Sequence, residues 1–261
     1  MNIPVLFDSH CHLDFAEFDE NRPQLWQACR HQGVAHLLVP GTCASQWKNT
    51  YLLTQELAGV FMAVGVHPWW VEGINSVLKT EIQMTTIASF LERQMCVAIG
   101  ECGLDKMIAT PLVQQQIIFE QQLQLACDTQ YPLIIHVHKA HNEMLSLLSH
   151  YKPKAGGIIH GFTGSIELAQ QYWQLGFCLG IGGSITYPRA TKTRNSAQQL
   201  PLDAIVLETD APDMPLNGLQ GQVNSPLRVV DVAKALAELR GEPFNDIAQK
   251  TTENCKRLFQ L

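Results

Sequence analysis

No apolar stretch in this chain approaches the roughly 18 residues that a membrane-crossing helix needs, so no role within a bilayer is expected. Positive charge is also scarce. Against 24 Asp and Glu stand 18 Lys and Arg, which leaves a formal net charge of −6 and a sequence pI of about 5.9. Proteins that grip nucleic acid through general surface charge are usually basic. Any phosphate contact here therefore has to be local, and bound divalent ions would supply charge that the side chains do not. The eight cysteines, at 11, 29, 43, 96, 102, 127, 178 and 255, contain no CxxC pair and match no zinc-finger spacing. Cys96 and Cys178 lie inside apolar runs, where a free thiol behaves as a small hydrophobe. Reduced cysteines and a cytoplasmic location are the expectation. The first residues hold no basic segment followed by an apolar one, so no signal peptide is expected. Charge runs, low-complexity segments and readable repeats are missing too. No Ser-His-Asp or Cys-His nucleophile pattern stands out, and Gly180-Ile181-Gly182-Gly183 is not a P-loop.

Short β-branched apolar runs are what the sequence does have. Eight segments read as buried strands, at 4–10, 35–40, 61–66, 96–101, 132–136, 156–160, 177–182 and 204–208. Helical signals lie between them. Asn21-Arg22-Pro23 offers an N-cap and an early proline. Pro111 opens a helix to about Asp128, Thr163-Gly164-Ser165 caps one over 166–175 that Gly176 ends, and 191–199, 226–240 and 243–258 follow. Alternation of strand and helix along all 261 residues, without a linker, predicts one α/β domain over 1–261. Eight units in that length match a (β/α)8 TIM-like barrel; a doubly wound open sheet is the alternative. Two long segments after strands, 183–198 and 211–225, would lie at the barrel mouth, where loops usually face substrate.

Five of the strand candidates deliver a metal-ligand type at or just past their C-terminal ends: His10 and His12, Glu101, His136, His160 and Asp210. In a parallel barrel those ends open onto one face, where catalysis takes place. His10 and His12 are two apart and would share a face on a strand. Taken alone, a His-x-His pair reads more readily as two polar residues at a strand end. Four histidines, one Glu and one Asp exceed what one tetrahedral zinc with an open position needs. The set suits two divalent ions (Zn, Mn, Ni, Fe or Mg), with Glu101 as the shared bridge. Two such ions can hold a bridging hydroxide as nucleophile and polarise a phosphoryl or carbonyl oxygen. Asp210 is the candidate to take the proton, and Glu101 the other catalytic carboxylate.

Phe7-Asp8-Ser9-His10-Cys11-His12, Gly65-Val66-His67-Pro68, Ala98 to Asp105, His160-Gly161-Phe162-Thr163-Gly164, Glu208 to Pro212 and Thr252-Glu253-Asn254 occur in order along the chain. Together they resemble the TatD family of metal-dependent hydrolases over residues 7 to about 259. The resemblance implies an amidohydrolase-type barrel, a two-metal site and 3′→5′ deoxyribonuclease activity. It also implies that His10, His12, Glu101 and Asp210 hold one ion, and Glu101, His136 and His160 the other. Three positions depart from the pattern. His138-Lys139 stands where the family usually has Ser-Arg, Gly161 where it usually has Cys, and Val223-Asn224-Ser225-Pro226 where it often has Arg-Asn-Glu-Pro. The first and last fall around the substrate and bear on specificity.

Substrate contacts are expected from His67, beside which Trp69 or Trp70 could offer a stacking surface but reads more readily as packing, and from Arg189, Lys192 and Arg194, a compact basic cluster able to hold phosphate. His138 could face the same pocket as His136. Each has a plain alternative: an aromatic pair packing the barrel top, or a solvated loop. Glu208, two before Asp210, could orient a ligand, whereas His31, His36 and His150 carry no signal and His141 suits a helix start. The expected activity is divalent-metal-dependent hydrolysis of DNA or another phosphodiester, with no membrane or obligate protein partner. Hydrolysis of a small amide, ester or lactone, or metal and nucleic-acid binding without turnover, are the rivals.

Overall fold

A computed structural model describes residues 4–74 and 77–261. Its eight strands alternate with helices in the order β1 (Leu6–Asp8), α1 (Arg22–His31), β2 (Val34–Gly41), α2 (Ala44–Glu56), β3 (Val60–Val64), α3 (Val77–Leu91), β4 (Cys96–Asp105), α4 (Leu112–Thr129), β5 (Leu133–His138), α5 (His141–Tyr151), β6 (Gly157–Ile159), α6 (Ile166–Gln174), β7 (Phe177–Ile181), α7 (Thr191–Gln199), β8 (Ile205–Leu207), α8 (Val229–Arg240) and α9 (Phe244–Phe259). Neighbouring strands pair in parallel in sequence order, β1 through β8. The sheet curls into a nearly closed (β/α)8 barrel.

Alternation along each strand sorts side chains into two apolar layers. Leu37, Met62, Ile135, Leu179 and Ile205 face outward to the helices. Phe7, Leu38, Ala63, Ile134, Ile158 and Val206 fill the interior. The amphipathic face of α9 closes the barrel end opposite the strand C-termini by sending Cys255 and Phe259 into that inner cluster.

The seam between β8 and β1 is closed by polar groups. Ser9 N–H donates to Leu207 O at 2.9 Å and Asp210 N–H to His10 O at 2.9 Å. The Asp8 carboxylate accepts the Thr209 hydroxyl at 2.6 Å and the Thr209 N–H at 3.0 Å. From α9, Asn254 donates to the carbonyls of Leu202 and Ile205, both at 2.8 Å, and Thr252 to that of Val5 at 2.9 Å.

Several expected boundaries move. β1 ends at Asp8, so His10 and His12 lie beyond the strand rather than on it. β4 and β5 run on to Asp105 and His138, because Cys102–Asp105 keep pairing with Ile135–His138 after the apolar runs end. Asn21 makes no side-chain cap, although α1 begins at Arg22 with Pro23 in its first turn. Ser165 does cap α6, accepting from Leu168 N–H at 3.4 Å. Segment 183–198 is a 3-10 turn, Gly183–Thr186, followed by α7, so little of it is loop.

Candidate metal centre

Glu101 sits on β4, 2% exposed, with its two carboxylate oxygens aimed at different histidines. Oε2 lies 3.3 Å from His10 Nε2 and 3.5 Å from His12 Nε2. Those same nitrogens lie 3.4 and 3.7 Å from Asp210 Oδ1. Oε1 instead faces His160 Nε2 at 2.9 Å, His136 Nδ1 at 3.3 Å and His67 Nε2 at 3.3 Å. One carboxylate therefore joins two groups of imidazoles. All six candidate ligands converge, although they come from five separate places in the chain.

The donor set fits divalent ions. His10 Nε2 is fully buried and has no hydrogen-bond partner despite two carboxylate oxygens within 3.4 Å. Imidazole nitrogens and carboxylate oxygens packed this way suit first-row ions. Groups within 4.8 Å of one another that could hold an ion are His10 with His12 and Glu101, His10 with His160 and Asp210, and His67 with Glu101 and His136.

The cluster sets its own charges. Burial alone would raise the Glu101 carboxyl, but the facing His160, His67 and His10 outweigh it and hold it well below the usual range. Burial would lower His160, yet Glu101 and Asp210 push it up to about 10. Imidazole ligates only when neutral, so an ion and a proton compete there. Burial raises the Asp210 carboxyl, against the pull of His160 and His12. Burial also lowers His67. Its Nδ1 accepts the Trp69 N–H at 3.1 Å, which leaves the ring proton on Nε2, pointing at Glu101. In this tautomer His67 faces the centre as a donor to Glu101.

Two carboxylates stand behind the ligands. Asp105 closes β4. Its Oδ2 lies 3.4 Å from His136 Nε2 and accepts the Trp69 indole N–H at 3.1 Å. Oδ1 accepts Met107 N–H at 2.7 Å and lies 3.4 Å from His138 Nδ1. Against the effect of burial, these bonds hold its carboxyl well below the usual range. Glu208 accepts the Gly161 N–H at 2.5 Å, and burial pushes its carboxyl up to about 8. A Cβ at Gly180 would come within 2.1 Å of Glu208 Oε2. That glycine makes room for the carboxylate, which accounts for part of the glycine-rich run.

The expected substrate residues scatter more. His138 reaches Asp105 with its side chain 53% exposed. Arg189 is exposed and lies over the Tyr187 ring, 5.3 Å from its centroid, beside a cavity also lined by Ser184, Met214 and Pro215. Lys192 is exposed in the first turn of α7. Arg194 donates to the Ile185 carbonyl at 2.5 Å and lines a different cavity with Ala235, Glu238 and Leu239 of α8. Two residues past Lys192 on α7, Arg194 projects from a different side of that helix. Asn224 is 3% exposed, and its amide donates to the carbonyls of Thr209, Asp213 and Met214. It shapes loop 211–225 from inside and does not face a substrate.

A (β/α)8 barrel with histidines and carboxylates gathered in this way fits the class of metal-dependent hydrolases. Within that class, the family model described as TatD related DNase matches residues 7–260, and the chain belongs to that family. It is 38% identical over 257 residues to the uncharacterized metal-dependent hydrolase YjjV of Escherichia coli K12, covering 97% of each. The crystal structure of that TatD homolog aligns with a TM-score of 0.93, covering 100% of both chains. The chain is also 30% identical over 264 residues to the 3′-5′ ssDNA/RNA exonuclease TatD of Pantoea vagans, covering 98% of this chain and 100% of that one. Among the described residues, no helix is long and apolar enough to cross a membrane.

Proposed function

We propose that the chain is a metal-dependent phosphodiesterase acting on single-stranded nucleic acid, DNA in the first instance. The observation that carries this reading is the division of the Glu101 oxygens. His10, His12, Oε2 and Asp210 would hold one divalent ion; Oε1, His136 and His160 would hold the second. Bound there, two ions supply an activated water at neutral pH and charge to offset the phosphoryl oxygens.

The chain's own groups divide the remaining work. Asp210 is the proton acceptor: its side chain is 18% exposed where that of Glu101 is 3%, so it is the carboxylate open to water at the site. Glu101 stays anionic and orients the imidazoles. His67 donates from Nε2 to Glu101 Oε1, and Asp105 fixes the ring of His136. Arg189 and Lys192, exposed near the strand C-termini, meet flanking phosphates. The exonuclease name of the Pantoea vagans relative supports the choice of nucleic acid.

The test compares three substrates: a single-stranded oligonucleotide, bis-p-nitrophenyl phosphate and p-nitrophenyl acetate. Hydrolysis of the first two should stop on chelation and return when a divalent ion is restored. Activity indifferent to chelators, or confined to the acetate, would overturn the reading.

A further inference from the structure

Trp69 is the largest kind of side chain, and such side chains are mostly buried, yet it is 62% exposed. It is not loose. Its backbone N–H donates to His67 Nδ1 at 3.1 Å, and its indole N–H donates to Asp105 Oδ2 at 3.1 Å. The ring stands edge-on to His67, with centroids 5.1 Å apart at 87°. Both anchors belong to the metal centre. His67 Nε2 lies 3.3 Å from Glu101, and the same Asp105 oxygen lies 3.4 Å from His136 Nε2. A large apolar ring is thus held in one orientation beside the reacting position, with most of its surface left to solvent.

We propose that Trp69 is a binding site for an unpaired nucleobase, and that Asp105 holds it in register with the metal centre. The proposal rests on the phosphodiesterase reading and names the part of the substrate that reading leaves open. Stacking is tolerant of sequence because every base has a π-face. A ring tethered through its indole N–H to Asp105, on a backbone itself bonded to His67, loses little freedom when a base settles on it. Bases in a duplex are already stacked on their neighbours, so the platform selects single strands. Trp70, its neighbour in the 3-10 turn Pro68–Gly73, is 51% exposed and serves as the comparison.

The experiment measures binding by fluorescence anisotropy, using the metal-loaded protein and oligonucleotides made cleavage-resistant by phosphorothioate linkages. One oligonucleotide carries all its bases; the other is abasic at the terminal nucleotides of both ends. The wild-type protein should bind the first about 5- to 150-fold more tightly, the range that stacking on one aromatic provides. Trp69→Ala should bring that ratio close to one. Trp69→Phe, which keeps a ring and loses the tether to Asp105, should retain part of it, and Trp70→Ala should leave it. An unchanged ratio in Trp69→Ala, or its loss in Trp70→Ala instead, overturns the proposal. Cleavage of an unmodified oligonucleotide by the wild-type protein is followed in parallel. If cleavage occurs while the ratio is unmoved, only the platform falls. If bis-p-nitrophenyl phosphate is hydrolysed and the oligonucleotide is neither cleaved nor bound, the nucleic-acid reading falls and takes the platform with it.

Discussion

At the scale of single residues, Asp210 combines two demands. Its φ of 55° places it in the left-handed region, which costs most side chains about 1 kcal/mol or more but which Asp and Asn tolerate. That backbone turn brings Oδ1 to His10 and His12 just past the end of β8. Asp210→Asn keeps the shape and the tolerated φ while removing the negative charge and the basic oxygen. Turnover of bis-p-nitrophenyl phosphate should fall by about 10²- to 10⁴-fold, with the far-ultraviolet circular dichroism spectrum unchanged. Wild-type turnover in that variant would remove Asp210 from the mechanism.

At the scale of elements, loop 211–225 depends on one buried amide. Asn224→Ala would leave the carbonyls of Thr209, Asp213 and Met214 without their donor, a loss of about 1–3 kcal/mol. Urea unfolding should show it as a lower midpoint with an unchanged slope; a midpoint within error of wild type would refute the assignment. Nothing in the sequence distinguished this structural Asn from a substrate-facing one, since its three acceptors lie 10 to 15 residues upstream. The strands were readable because their β-branched runs are compact. The ends of β4 and β5 were not, because ladder pairing continues through Gly103 and Val137 to the polar Asp105 and His138. Helix α2 passed unnoticed because Cys43 gives no side-chain cap at its start. The candidate ligands were legible because chemistry restricts them to a few residue types. Their supports were only partly so: Glu208 stands out by its spacing from Asp210, but its partner Gly161 lies 47 residues away, and Asp105 meets Trp69 across 36.

For the whole molecule, an ion that binds only the folded chain must also stabilise it. Saturation at 100-fold above the dissociation constant contributes about 2.7 kcal/mol, and 1 kcal/mol moves the melting temperature of a domain of 150–250 residues by roughly 2–4 °C. Calorimetry should therefore find the chelated protein melting roughly 5–10 °C below the metal-saturated one. Coincident melting curves would mean that the cluster holds no ion in the folded state.

The polar seam between Asp8 and Thr209 spans 201 residues of sequence. During synthesis His10, His12, Glu101, His136 and His160 all leave the ribosome before Asp210 does. The last candidate ligand arrives on the same segment that locks the barrel shut, so a nascent or truncated chain carries an incomplete centre. Acquiring the ligand set and closing the fold become one event.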